Sequence, residues 1–462
     1  MKFSNQLKWA VWIVAGGILL CFWGLFNGYP FVYPDTGTYV FSGFTSQVPV
    51  DRPIAYGLFI RHVSMMESLF WVIYAQGILT SLTIYLLFRH FLGTVNPALF
   101  IGTLAGITAC TNGSLYVSYI MPDLFSPIFF ACIGLLLLAK LSKMRSLLIG
   151  CLGWLAMIMH NAHLLEGLVL VVLLALASFS SKFRRIIPLR RTLTIGVLVA
   201  AGWLGIRALH WMYSGKFESQ QASHVFAMAR LHEMGLLKPY LDQACVEGKN
   251  YPICAFRDSL PDDFLWSGNS PAHKDGGWMA HRDEYRAVIA GIMTTPKLVK
   301  DYLIQALNGA FNQFFYFRAE DTGKWLVNTP PYGAVLLHFP KELILYKSCH
   351  QNHRDYFLDF SGMNTRQQYL FLGLLVLFAL VVSSDWWKTR TPAGPRQFLI
   401  FSVVVLVFNA FVCSAFVSVT SRYQGRLMWM ALLAGFMVLY SVRGALLDAL
   451  KIRWASALNG SE

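Results

Sequence analysis

Ten apolar runs punctuate this 462-residue chain, at about 8–27, 68–88, 97–116, 124–141, 146–160, 164–179, 193–210, 367–383, 397–418 and 427–443. Most approach the roughly 20 apolar residues that a helix needs to cross a bilayer. None shows the strict two-residue alternation of a half-buried strand. The pattern therefore predicts an all-α protein, a multispan bundle of about ten transmembrane helices. The fifth and sixth runs are short and meet at Met159-His160-Asn161-Ala162-His163. They read as two spans or as one re-entrant hairpin, and both versions return the chain to the same side. No small-residue cleavage site follows the first run, which is expected to be a retained helix.

Two polar stretches interrupt this rhythm. One lies between the first two runs, at about 27–67. The other, 211–366, holds most of the charged residues and is expected to form a mostly helical extracytoplasmic domain inserted between helices seven and eight. The chain then divides into 1–210 (helices one to seven with the first outer loop), 211–366, and 367–462 (helices eight to ten and a cytoplasmic tail). Within the inserted segment, 224–241 and 283–315 show helical spacing of apolar positions. Pro261-Asp262-Asp263 and Ser267-Gly268-Asn269-Ser270-Pro271 read as loops between them.

Composition sharpens the class. Hydrophobic residues make up 56% of the chain and charged residues only 13%, with mean hydropathy +0.49. A soluble domain carries about 25% charged residues, so this chain cannot cover itself with polar surface in water. The net charge of +14 has a topological source. With the N-terminus inside, one face collects 17 Lys and Arg, among them Arg89, Lys140, Arg184, Arg185, Arg190, Arg191, Lys388 and Arg443. Only Asp385, Asp448 and Glu462 oppose them there. That asymmetry places both termini in the cytoplasm and 211–366 outside. A nucleic-acid partner is not needed to explain the basic balance. The expected location is an integral position in a bacterial cytoplasmic (inner) membrane.

Of eight cysteines, five lie in apolar runs as small packing residues. Cys245 and Cys254 enclose a short polar loop in the outer segment, which suggests a local disulfide and leaves Cys349 odd. A pairing with Cys349 stays open.

Candidate chemistry gathers at the outer boundary. The first loop reads Tyr29-Pro30-Phe31-Val32-Tyr33-Pro34-Asp35-Thr36-Gly37-Thr38-Tyr39, and then Asp51-Arg52-Pro53. Asp35 can accept a proton from a hydroxyl while the neighbouring aromatics, Tyr33 and Tyr39, hold a lipid-linked or ring-shaped substrate. Alternatively, it only caps the helix that begins near Thr36. Asp123 re-emerges at matching depth, with the same two readings. His160, His163 and Glu166 fall at that level too, as metal, phosphate or proton groups, or as interfacial residues satisfied by water and carbonyls. Ser421-Arg422-Tyr423-Gln424-Gly425-Arg426 carries two arginines four apart, able to point at one phosphate. The alternative is that they pair with carboxylates of the outer segment.

This constellation resembles the GT-C class of integral-membrane glycosyltransferases, which use polyprenyl-phosphate sugars. Protein O-mannosyltransferases and aminoarabinose transferases belong to that class. The resemblance covers about 1–210 and 367–443 and rests on short motifs. It implies Asp35 as first-loop general base, Asp123 as the second acid near donor or metal, and Arg422 at the lipid phosphate, with Arg426 and Arg52 as further phosphate ligands. Tyr33, Tyr39, His160, His163 and Tyr423 would line the substrate pocket. The first loop departs from the Asp-Glu pair of the mannosyltransferases, because Thr36 follows Asp35. The donor would be a polyprenyl-phosphate monosaccharide and the acceptor a hydroxyl on a glycan, lipid or protein. No cofactor is required, and a divalent metal is compatible with the carboxylates. The competing classes are a transporter of envelope glycoconjugates and a non-catalytic assembly scaffold. A transporter would place its ionisable residues near the midplane instead.

Overall fold

The structure, a computed structural model, describes residues 2–93, 95–274, 276–320 and 322–459, with side chains for 7–448 of these. Glu462 and the side chains of Lys2, Lys451 and Arg453 lie outside the described residues. Among the described residues the protein is all-helical, and its only extended pairing is a single parallel bridge between Phe31 and Tyr119.

Helices occupy each of the ten apolar runs. Among the described residues five are long and apolar enough to cross a membrane: Phe70–Leu92, Leu189–Ser214, Ser361–Ser383, Ala393–Phe416 and Ser421–Asp448. Leu7–Leu20, Pro97–Cys110, Pro122–Leu138 and Asn161–Ala177 are shorter apolar helices beside them. The Phe125–Leu138 helix is enclosed almost throughout, so it forms the central post of the bundle. Around it pack Lys143–Ile158, Leu189–Ser214 and Ala393–Phe416. Many outward side chains of these neighbours are bare leucine, valine and isoleucine, such as Leu193, Val197 and Val404. Such a surface is stable only against lipid.

The first loop folds into two helices, Pro34–Thr45 and Ala55–Val63. They meet at Gly43 and Gly57, where a Cβ on either residue would overlap the other helix. This close approach folds the intervening 46–54 stretch back and sets Arg52 beside Asp35.

Residues 211–366 divide between two cores. Helices Ser223–Glu233, Leu237–Val246 and Arg282–Thr294 bury Val225, Met228, Leu237, Tyr285 and Ile292 together, apart from the main core. The later part, with Phe317, Val335, Phe339 and Tyr346, joins the main core. The two stretches of helical spacing are both helical, and each is divided into two helices. Gly235, at φ +71°, ends the first turn of chain after Glu233, and Pro296 interrupts 283–315 after Thr294. A proline nitrogen has no hydrogen to give the preceding turn, and its ring displaces the carbonyl there. Cys245 and Cys254 are joined in a disulfide, and Cys349 is a buried free thiol whose Sγ donates to the Tyr346 carbonyl.

Candidate functional site

The parallel bridge explains how two distant acids come together. Phe31 N–H donates to the Ser118 carbonyl at 2.9 Å, and Ile120 N–H donates to the Phe31 carbonyl at 2.9 Å. This pins the first loop alongside the segment leading to Asp123. Four residues past Phe31, Asp35 enters the first turn of its helix. The cap is not made by Asp35. Thr36 Oγ1 accepts from the Tyr33 N–H at 2.9 Å and donates to the Ile120 carbonyl at 3.0 Å. The Asp35 carboxylate is thus left facing inward. Asp123 sits in the single 3-10 turn Pro122–Leu124 and is 2% exposed.

Both acids turn to arginines. Asp35 Oδ1 lies 3.1 Å from Arg52 Nη2, and its Oδ2 lies 3.7 Å from Arg422 Nη1. Arg422 Nε is 3.8 Å from Asp123 Oδ1, and the same oxygen is 3.3 Å from Arg426 Nη1. Arg426 Nη2 reaches Glu166 Oε1 at 3.3 Å, while Arg52 also holds Asp51 at 2.5 Å. The result is one alternating string: Asp51, Arg52, Asp35, Arg422, Asp123, Arg426, Glu166. It is most open at its middle, where Asp35 and Arg422 are each about a quarter exposed, and it ends at Arg426 and Glu166, which water does not reach. Among the described residues, none of these arginines pairs with a carboxylate of 211–366.

Alternation is what makes such burial tolerable. An isolated charge taken out of water costs several kcal/mol, whereas each member here has an opposite neighbour. Aromatic faces complete the lining. The Arg52 guanidinium lies 4.9 Å from the Tyr39 ring, Arg422 lies 4.6 Å from Tyr33, and Arg426 lies 5.3 Å from Tyr423. Burial pushes the Tyr39 phenol well above its ordinary pKa, so it stays a neutral donor and acceptor. Among the described residues, three guanidinium nitrogens of the string, Arg52 Nη1, Arg422 Nη1 and Arg426 Nε, have no hydrogen-bond partner, and neither has Glu166 Oε2.

The histidines are placed differently. His163 is fully buried, its Nε2 2.7 Å from Ser126 Oγ and its Nδ1 2.8 Å from the Ala156 carbonyl. Both ring nitrogens are thereby engaged within the bundle. His160 caps the Asn161–Ala177 helix, its Nδ1 accepting the Ala162 N–H at 3.1 Å, so the turn precedes the helix and the His160 and His163 rings lie 5.5 Å apart. Among the described residues no three His, Cys, Asp or Glu side chains converge as a metal-binding group. The Cys245–Cys254 disulfide lies in the separate core of 223–292, away from the string.

Two glutamines that sequence patterns do not mark hold the string's backbone. Gln351 pairs with Val32, three residues before Asp35, and Gln313 pairs with Thr420, two before Arg422. Gln313 Nε2 donates to the Thr420 carbonyl and its Oε1 accepts the Thr420 N–H, both at 2.8 Å. Asp51 was also unmarked, although it directly precedes Arg52.

No family model, no curated protein and no solved structure matches the chain.

Proposed function

We propose that this protein is a membrane glycosyltransferase of the GT-C kind, moving a monosaccharide from a polyprenyl-phosphate donor to a hydroxyl acceptor at the extracytoplasmic face. In this reading the apolar helices form a ten-span bundle with both termini inside, in a bacterial cytoplasmic membrane, and 211–366 is extracytoplasmic. The supporting observation is the position of Asp35 between Arg52 and Arg422, each of which keeps a buried Nη1 without a hydrogen-bond partner. Guanidinium groups with unused donors are suited to a phosphate, which can take two parallel hydrogen bonds from each.

The chemistry follows from exchange of partners. A donor phosphate entering the site would compete with Asp35 for Arg52 and Arg422. Once those arginines turn to the phosphate, the Asp35 carboxylate becomes free to accept the proton of the acceptor hydroxyl. The hydroxyl oxygen attacks the anomeric carbon from the face opposite the phosphate. The bond between anomeric carbon and phosphate oxygen breaks, its electron pair leaves with the polyprenyl phosphate, and the sugar is inverted. The growing charge on the leaving phosphate is met by the same two guanidiniums, which is where stabilisation counts. Asp123 and Glu166 would act at a distance, by holding Arg422 and Arg426 in place.

Binding tests the first half of this reading. Purified protein should retain a polyprenyl monophosphate, and Arg422→Ala should weaken that binding by about 10–100-fold, the worth of a charge-assisted contact. Equal binding by the two proteins would remove the phosphate from this site.

A further inference from the structure

The helix Pro296–Phe315 presents three distinct faces, and each calls for a different medium. At 100° per residue, Tyr302, Ala306, Gly309 and Gln313 fall on one side. That side meets the protein. The Tyr302 hydroxyl donates to the Ala415 carbonyl at 3.0 Å, Ser414 Oγ donates to the Ala306 carbonyl at 2.9 Å, and Gln313 clasps Thr420. Gly309 is pressed so close to Ser414 that a Cβ would overlap it. A second side carries Leu303, Ile304, Leu307, Phe311 and Phe315, all exposed, with Leu307 at 61% and Phe311 at 68%. A third carries Gln305, Asn308 and Asn312, also exposed. No charged residue occurs from Tyr302 through Phe317, and Lys297, Lys300 and Asp301 are confined to the first turns.

We propose that this helix lies in the plane of the membrane–water boundary, with its leucine and phenylalanine stripe in the acyl region of the bilayer and its glutamine and asparagine face in water. The occupant of the stripe is lipid, and continuity argues for it. The protein side of the helix packs at the end of Ala393–Phe416, and Phe314 and Phe315 touch Phe371 of Ser361–Ser383. Both partners are long enough to cross a membrane. Their own outward side chains next to the contact, Phe416 and Leu372, are exposed and apolar, so the stripe extends a surface that already requires lipid. An in-plane position is what the third face demands. A helix crossing the bilayer could not leave Gln305, Asn308 and Asn312 unpaired in hydrocarbon, while one lifted into water could not expose the five apolar residues. Segment 211–366 then touches the bilayer instead of standing clear of it. Its clasp on Thr420 fixes the Arg422 turn at head-group depth. This inference does not depend on the transferase reading.

Nitroxide labels test it in the full chain carrying Cys110→Ala and Cys151→Ala, reconstituted in discs of phosphatidylethanolamine and phosphatidylglycerol. Leu307→Cys, Phe311→Cys, Asn308→Cys and Asn312→Cys are labelled singly, all at exposed positions where a label need not disturb folding. Labels at 307 and 311 should collide several-fold more with oxygen than with a water-soluble nickel chelate, and labels at 308 and 312 should show the reverse. Chelate collision at all four sites would put the helix in water, and oxygen preference at all four would immerse it. Protection of 307 and 311 from both reagents would mean that protein covers the stripe. Each of those three results overturns the proposal.

Discussion

The side-chain amide of Gln351 pairs with both backbone groups of Val32. The Val32 N–H donates to Gln351 Oε1 at 3.1 Å, and Gln351 Nε2 donates to the Val32 carbonyl at 2.8 Å and to the Thr322 carbonyl at 3.1 Å. A glutamine from late in the 211–366 segment thus does what a neighbouring strand would do, holding the loop three residues before Asp35.

Gln351→Leu keeps the volume but leaves the Val32 N–H and carbonyl buried without partners, each costing about 1–3 kcal/mol. The variant should unfold several degrees lower in detergent. Gln351→Glu still accepts from the Val32 N–H but has no amide hydrogens for the two carbonyls, so it too should be destabilised. Thermal unfolding followed by tryptophan fluorescence checks this, and an unchanged midpoint for Gln351→Leu would show that the loop is held by other contacts.

Arg426 offers a second test, because it is wholly buried between Asp123 and Glu166. Arg426→Met should cost about 3–5 kcal/mol, since two carboxylates are then buried without their cation. Adding Glu166→Gln removes one of those charges and should restore part of the loss. Denaturant unfolding of the single and double variants measures the coupling. Additive losses would mean that the two side chains do not interact.

Much of this was legible in the chain, and the limits have physical causes. Helix positions followed from apolar runs, because bilayer burial imposes a length and a composition that no soluble element shares. The Cys245–Cys254 disulfide was suggested by the short polar loop between the two residues, with Cys349 left open as a partner, and the structure contains it. Asp35, Asp123, Arg422 and Arg426 stand out in the sequence as charges at the ends of apolar runs, and the structure brings them together. The alternation of the string was hidden, because its links join residues up to several hundred positions apart. Gln313 and Gln351 left no trace either. An amide that pairs with a backbone has no periodicity, and any glutamine can do it. The helical spacing over 283–315 is carried by two helices, Arg282–Thr294 and Pro296–Phe315, because apolar spacing does not register the break that Pro296 imposes.

Orientation is tested independently of the site. A reporter enzyme fused after Gly276 should behave as exported, and one fused at Glu462 as cytoplasmic, because 17 basic residues fall on one side of the apolar runs and such residues favour the cytoplasm. The inverse result would put Asp35 and Asp123 on the cytoplasmic side and exclude an extracytoplasmic donor.

Sugar transfer itself is the most direct measurement. Purified wild-type protein in detergent is given a labelled polyprenyl-phosphate monosaccharide and a hydroxyl acceptor, and transfer is compared with that of Asp35→Asn. Asparagine preserves size and cannot accept the proton, so the rate should fall by about 10²–10⁴-fold in folded protein, while the unfolding temperature drops because Arg52 and Arg422 each lose one of two carboxylate partners. Full turnover by Asp35→Asn would contradict the account, because the carboxylate held between Arg52 and Arg422 would then have no part in the reaction.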